Sequence, residues 1–219
     1  MHRPDPVAGC LFDFDGVLVD SFLLHAEGWR RSYEAVLQLP FPRLPAEELT
    51  GRSSPQIARD LAALGGAPDM AEHIYRYKTG LMSDGSLVPP LRPGAREVLA
   101  WCRDTGVPFG IGSNAPGAYL RTVLAEHRLE VPVVLGFDDV DRPKPYPDLY
   151  LAAAAAAGVP AGQRSSVLVF EDSPPGITAA VKAGMYPVGI LARIPEEVLR
   201  RCGAREWYDS LADWLDAAR

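Results

Sequence analysis

Asp13 and Asp15 stand two residues apart where the apolar run from Val7 to Phe12 ends, in the segment Asp13-Phe14-Asp15-Gly16-Val17-Leu18-Val19-Asp20-Ser21. Strand residues i and i+2 point to the same face with Cα atoms roughly 6.5 Å apart, so both carboxylates can address one bound group. Left bare, the pair would repel and one member would tend to stay protonated. A hard cation with oxygen ligands relieves that repulsion, and magnesium (Mg2+) is the natural candidate. The competing explanation is local, since Asp often initiates turns and Gly16 invites one.

Three later segments place further chemistry at strand ends. The run Val107 to Gly112 leads into Ser113-Asn114-Ala115-Pro116, where a hydroxyl and unpaired N–H groups meet a helix start that suits an anion such as phosphate; ordinary capping by Ser113 or Asn114 would use the same residues. In Arg142-Pro143-Lys144-Pro145-Tyr146-Pro147, a proline follows each of Arg142, Lys144 and Tyr146. Residues before proline are pushed towards extended geometry, so Lys144 sits on a constrained backbone and its ammonium can be aimed at an anion. The strand Val167 to Phe170 ends in Glu171-Asp172-Ser173-Pro174-Pro175-Gly176. Ser173 as N-cap and Pro174 at the first helical position account for two of those residues, while Glu171 and Asp172 offer further oxygen ligands for the cation that Asp13 requires.

The elements that must position these residues alternate from Leu87 onward: helix Gly94 to Asp104, strand Val107 to Gly112, helix Gly117 to His127, strand Val131 to Gly136, helix Asp148 to Ala157, strand Val167 to Phe170, helix Ile177 to Ala183 and strand Tyr186 to Ile190. Such alternation predicts an α/β fold, a Rossmann-like parallel sheet with helices on both faces and its ligand crevice beyond the carboxyl ends of the strands. Between Phe22 and Tyr77 the pattern is helical only, broken at Pro40 to Pro45 and Gly65 to Pro68, which predicts a small α-helical domain inserted after the first strand. The expected division is 1–18 and 90–219 for the core and 19–89 for the insert. The alanine run Ala152 to Ala157, stopped by Gly158 and Pro160, reads as a close-packed helix with no chemistry.

A net charge of −6 disfavours nucleic acid and anionic membrane as partners, and charge runs such as Arg200-Arg201 read as solvated faces. Three cysteines, odd in number and far apart, argue for reduced thiols and a cytoplasmic setting. The N-terminus lacks the apolar core of a signal peptide, and no apolar run is long enough to span a membrane. A small anionic substrate would need a local positive site, and a monomer is expected.

Taken together, DFDGVLVDS, the Ser113 end of GIGSN, Lys144 in RPKPYPD and FEDSPPGI resemble the four motifs of the haloacid dehalogenase superfamily of phosphohydrolases, in order and over nearly the whole chain. The helical insert resembles the cap of the branch that holds β-phosphoglucomutase and the sugar-phosphate phosphatases. The resemblance implies that Asp13 is a nucleophile forming an aspartyl-phosphate and that Asp15 is the acid and base. It further implies that Ser113 and Lys144 hold the transferring phosphoryl group, helped by backbone N–H groups near Gly16 and Asn114. Magnesium would be bound by Asp13, the carbonyl of Asp15, Asp172 and Glu171, the last directly or through water.

In the insert, His25 resembles a histidine that orients the acid/base residue, and Gly51-Arg52-Ser53-Ser54-Pro55 resembles a substrate-specificity loop with Arg52 as a phosphate ligand; packing of His25 and a plain helix start near Ser53 are the alternatives. Arg76 and Lys78 could supply positive charge from the insert, with solvated side chains as the preferred reading. The phosphate-gripping arginine of the mutases falls on Ser54, which favours a phosphatase over a mutase. Metal-free dehalogenases do not need Asp15, Glu171 and Asp172 together, and the long insert argues against a phospho-accepting receiver module.

Overall fold

The computed structural model describes residues 3–44, 49 and 54–218. Six strands, β1 (Gly9–Phe12), β2 (Phe109–Gly112), β3 (Val134–Leu135), β4 (Val167–Glu171), β5 (Tyr186–Ile190) and β6 (Glu206–Tyr208), form one parallel sheet in the order β3-β2-β1-β4-β5-β6. Residues Cys10, Leu11 and Phe12 of β1 and Val167 to Phe170 of β4 are buried, as expected of central parallel strands covered on both faces. Phe12 and Phe170 stack at 4.9 Å between ring centroids, and Trp214 meets Phe170 edge-on. The chain order reverses direction between β1 and β4, and in open α/β sheets the ligand crevice lies at that switch point.

The chain divides into two compact units, 1–20 with 90–219, and 21–89. The first break falls two residues after the expected one at Leu18. Val19 bridges Leu91, the Asp20 N–H donates to the Pro90 carbonyl and the Arg92 N–H to the Leu18 carbonyl, which ties these residues to the sheet unit.

In the sheet unit, the helices are α4 (Ala95–Thr105), α5 (Gly117–Glu126), α6 (Asp148–Ala156), α7 (Pro174–Lys182), α8 (Glu196–Cys202) and α9 (Leu211–Ala218). The expected strands from Val107 and Val131 are shorter than the apolar runs because Pro108 and Pro132 lack the N–H that a ladder needs. α7 begins at Pro174, three residues before the expected Ile177, with the Ser173 hydroxyl accepting from the Gly176 N–H. α8, β6 and α9 were not expected. Arg200 and Arg201, read as a solvated pair, occupy the last turn of α8, where Arg201 pairs with Glu197.

The helical unit, in the described residues, consists of α1 (Phe22–Leu37), α2 (Ser54–Leu64) and α3 (Ala71–Ser83) around Trp29, Tyr33, Ile57, Leu61 and Ile74. α3 continues past Tyr77, where the helical pattern was expected to stop. No helix among the described residues is long and apolar enough to cross a membrane.

Candidate active site

The end of β1 carries Asp13, whose N–H donates to the Phe170 carbonyl at 2.9 Å, so this strand end is pinned against that of β4. Carboxylate oxygens of Asp13, Glu171 and Asp172 lie within 4.8 Å of one another. Lys144 reaches this cluster from the loop before α6, its Nζ 2.7 Å from Asp13 Oδ1 and 2.5 Å from Glu171 Oε1. The lysine side chain is only 3% exposed, so the ammonium acts on the carboxylates with little water between them.

Burial pushes the Asp13 carboxyl up to about 7, with Glu171 and Asp15 adding to the rise and Lys144 opposing it. Burial and the neighbouring Asp13 and Glu171 likewise hold Asp172 well above the ordinary aspartate range. For Lys144, burial lowers the value, but the two carboxylates outweigh it and leave the ammonium favoured. One ammonium thus faces three acids, and the surplus negative charge is what a divalent cation with oxygen ligands would neutralise.

The donor set fits magnesium: three carboxylates and no nitrogen or sulfur. Glu171 is fully buried and hydrogen-bonded through both oxygens. Oε1 accepts from Lys144 and from the Tyr150 hydroxyl at 2.6 Å, and Oε2 accepts from the Ser173 hydroxyl at 2.9 Å.

Gly16 and Asn114 have partners that the sequence did not suggest. The Gly16 N–H is donated to the Val19 carbonyl at 2.8 Å, inside its own turn. Glycine is required there for two reasons: φ is +85°, and a Cβ would collide with the Asp172 carboxylate. A Cβ at Gly176 would similarly displace the Glu171 carboxylate. The Asn114 carboxamide grips the main chain of Lys144 from both sides, its Nδ2 donating to the Lys144 carbonyl at 3.2 Å and its Oδ1 accepting from the Lys144 N–H at 3.0 Å. Ser113 is buried at the end of β2, and its hydroxyl accepts from the Ala115 N–H at 3.2 Å.

The carboxylate of Asp15 lies outside the three-carboxylate cluster and accepts from the Tyr119 hydroxyl at 3.0 Å. Tyr119 on α5 and Tyr150 on α6 were missed from sequence. The alanines Ala153 and Ala154 are buried as a close-packed helix requires, and Tyr150 stands one turn before them on the same helix. Its ring lies under the Lys144 ammonium, 4.7 Å from Nζ, while its hydroxyl holds Glu171. A single aromatic residue in Asp148–Ala156, between Leu149 and Leu151, was the available signal.

In the helical unit, Lys78 is buried rather than solvated, with Nζ 3.0 Å from His25 Nδ1 and 5.2 Å from the centre of the Trp29 ring. Arg76 is exposed beside Glu72. Arg52 and the rest of its loop to Ser53 lie outside the described residues.

Residues 7–184 match the haloacid dehalogenase-like hydrolase family. The chain belongs to that family. It is 30% identical over 208 residues to validoxylamine A 7'-phosphate phosphatase of Streptomyces hygroscopicus, covering 86% of this chain and 88% of the relative. It is 28% identical to β-phosphoglucomutase of Bacillus subtilis over 193 residues, 82% of this chain and 81% of that one. Among solved structures, a haloacid dehalogenase family hydrolase from Deinococcus radiodurans with bound phosphate and sodium superposes with a TM-score of 0.75 at 29% identity, over 98% of this chain and 96% of that one.

Proposed function

We propose that the protein is a magnesium-dependent phosphatase acting on a small phosphorylated metabolite, a sugar or polyol phosphate, through an aspartyl-phosphate intermediate. The observation that carries this reading is the Lys144 ammonium fixed between Asp13 and Glu171, with Asp172 completing a carboxylate cluster at the switch point of the sheet. Phosphoryl transfer asks a protein chiefly for positioning and charge stabilisation, and this arrangement provides both. The phosphatase among the relatives supports the reaction class.

Asp13 attacks phosphorus, and the bond to the leaving oxygen breaks as Asp15 protonates that oxygen. In the second half, Asp15 takes a proton from the water that displaces Asp13 and releases inorganic phosphate. Ser113 and Lys144 hold the transferring phosphoryl oxygens, and Asn114 keeps the lysine main chain in place. Asp13, Asp172 and the carbonyl of Asp15 would hold magnesium, with Glu171 binding directly or through water, and the ion would supply neutralisation of the phosphoryl charge. His25, backed by Lys78, and Arg52 are the residues of the helical unit assigned to substrate recognition.

A screen of sugar and polyol phosphates with and without magnesium tests the reading. Metal-dependent phosphate release that disappears in Asp13→Asn is expected; no release by the native protein would overturn it. The β-phosphoglucomutase relative favours a second reading as a sugar-phosphate mutase. A mutase would require an added sugar bisphosphate and would interconvert isomers faster than it releases phosphate.

A further inference from the structure

A carboxylate is nearly symmetric about its own axis, and its terminal torsion is broad, so nothing intrinsic decides which oxygen meets a reacting group. At Asp15 that symmetry is broken by the Tyr119 hydroxyl, which donates to Oδ1 at 3.0 Å. The donor is rigidly mounted. Tyr119 is 1% exposed, and its ring stands edge-on to Phe14, the residue between the two aspartates, with centroids 5.8 Å apart and planes at 87°. The start of its helix is fixed in turn: the Gly117 N–H donates to Asp138 Oδ1 at 2.8 Å, and the Ala115 carbonyl accepts from the Phe137 N–H at 3.1 Å. A hydroxyl on a packed ring has a fixed position, so it offers the Asp15 carboxylate a hydrogen bond from one direction.

We propose that Tyr119 is the positioning residue for Asp15, holding Oδ1 so that Oδ2 exchanges the proton with the leaving and entering oxygens. This inference rests on the reading of Asp15 as the acid and base. In the first half-reaction the Oδ2–H bond breaks as the leaving oxygen gains its proton and the phosphorus–oxygen bond to the leaving group gives way to the bond from Asp13. In the second, a water O–H bond breaks, its proton returns to Oδ2, the hydroxide oxygen bonds to phosphorus and the bond to Asp13 breaks.

Leaving-group dependence separates this role from a structural one. An alkoxide departs poorly without a proton, whereas p-nitrophenolate departs well without one, so an acid that is misaimed penalises only the alkyl ester. The test compares kcat/KM for the best alkyl phosphate of the screen with that for p-nitrophenyl phosphate, in magnesium, for the native enzyme and for Tyr119→Phe, Asp15→Asn and the double variant. Loss of one oriented hydrogen bond is expected to lower the alkyl rate in Tyr119→Phe about tenfold, with less than about a threefold change on the nitrophenyl ester. Asp15→Asn should show the same split, larger, and the double variant no further loss. Equal losses on both esters, or none on either, would overturn the assignment of Tyr119 while leaving the phosphatase reading intact. A native enzyme that turns over neither ester would overturn both. Because Tyr119→Phe keeps the ring in its packed position, an unchanged melting temperature is expected alongside the split.

Discussion

Two polar clusters of the sheet unit are both tightly hydrogen-bonded, yet their charges are arranged in opposite ways. Around Glu206 on β6, one carboxylate meets three donors: Arg3 at 2.6 Å on Oε2, Tyr186 at 2.8 Å on Oε1 and Tyr208 at 2.8 Å on Oε2. Burial works against the Glu206 charge, but Arg3 and the tyrosines outweigh it and draw its pKa below the usual glutamate value of 4.5. Around Asp13 three acids share one ammonium, and the aspartates are driven up instead. The first cluster is balanced and holds the N-terminal segment to the edge of the sheet. The second is unbalanced, and the imbalance is what a ligand of positive charge relieves. Direction of shift thus separates a clasp from a site, although both are partly or fully buried.

The largest effect that would sharpen this contrast is at Asp13. With the proposed nucleophile replaced, Asp13→Asn is expected to lose about ten-thousand-fold or more in kcat, measured as phosphate release. Its stability should move the other way. Because the folded value of Asp13 lies near 7, above the aspartate value of 3.8, stability from this group is full below 3.8 and is lost as pH rises through 7. The asparagine variant lacks that loss, so metal-free Asp13→Asn should melt above the metal-free native protein at pH 8. A lower melting temperature would break the contrast.

Glu206→Ala comes next and should behave in reverse, losing about 2 kcal/mol of stability in denaturant unfolding while keeping native kcat. Its pH signature is also reversed. The folded value lies below 4.5, so the stabilisation is present above that pH and is lost as pH falls through the folded value. The native protein should therefore lose stability faster than Glu206→Gln below pH 4.5. Parallel curves for the two proteins would show that the clasp contributes nothing.

The two clusters also differed in how far they could be read from sequence. Asp13, Lys144, Glu171 and Asp172 stand beside strand ends or between prolines, where an acid or a lysine is conspicuous. Glu206 and Arg3 were invisible, because β6 is three residues long and the N-terminal segment carries no periodic pattern. Tyr119 and Tyr150 were hidden for another reason. A tyrosine on a helix looks like core, and it is core by burial; only the rotation of α5 and α6 against the sheet decides where the hydroxyl ends. At Gly16 and Asn114 the structure adds partners that the sequence did not suggest, the Val19 carbonyl and the main chain of Lys144. Spacing shows that a group is near a strand end, not which neighbour claims its N–H or amide first.

Asn114 supplies the smallest and most discriminating prediction. The unbalanced cluster depends on where the Lys144 ammonium sits, and the lysine main chain is held by a donor and an acceptor of one carboxamide. Removing both in Asn114→Ala gives up hydrogen bonds worth about 1 kcal/mol each, part of which reappears as misplacement of Nζ, so kcat should fall about tenfold. Asn114→Asp keeps the acceptor for the Lys144 N–H but not the donor for its carbonyl, and should fall between the alanine variant and the native enzyme. Were Asn114 instead a ligand of the substrate, the loss would appear in KM, and the two variants would not be graded by the number of bonds they keep to Lys144. Steady-state kinetics on one phosphate ester therefore distinguishes a residue that aims the lysine from one that touches the phosphate.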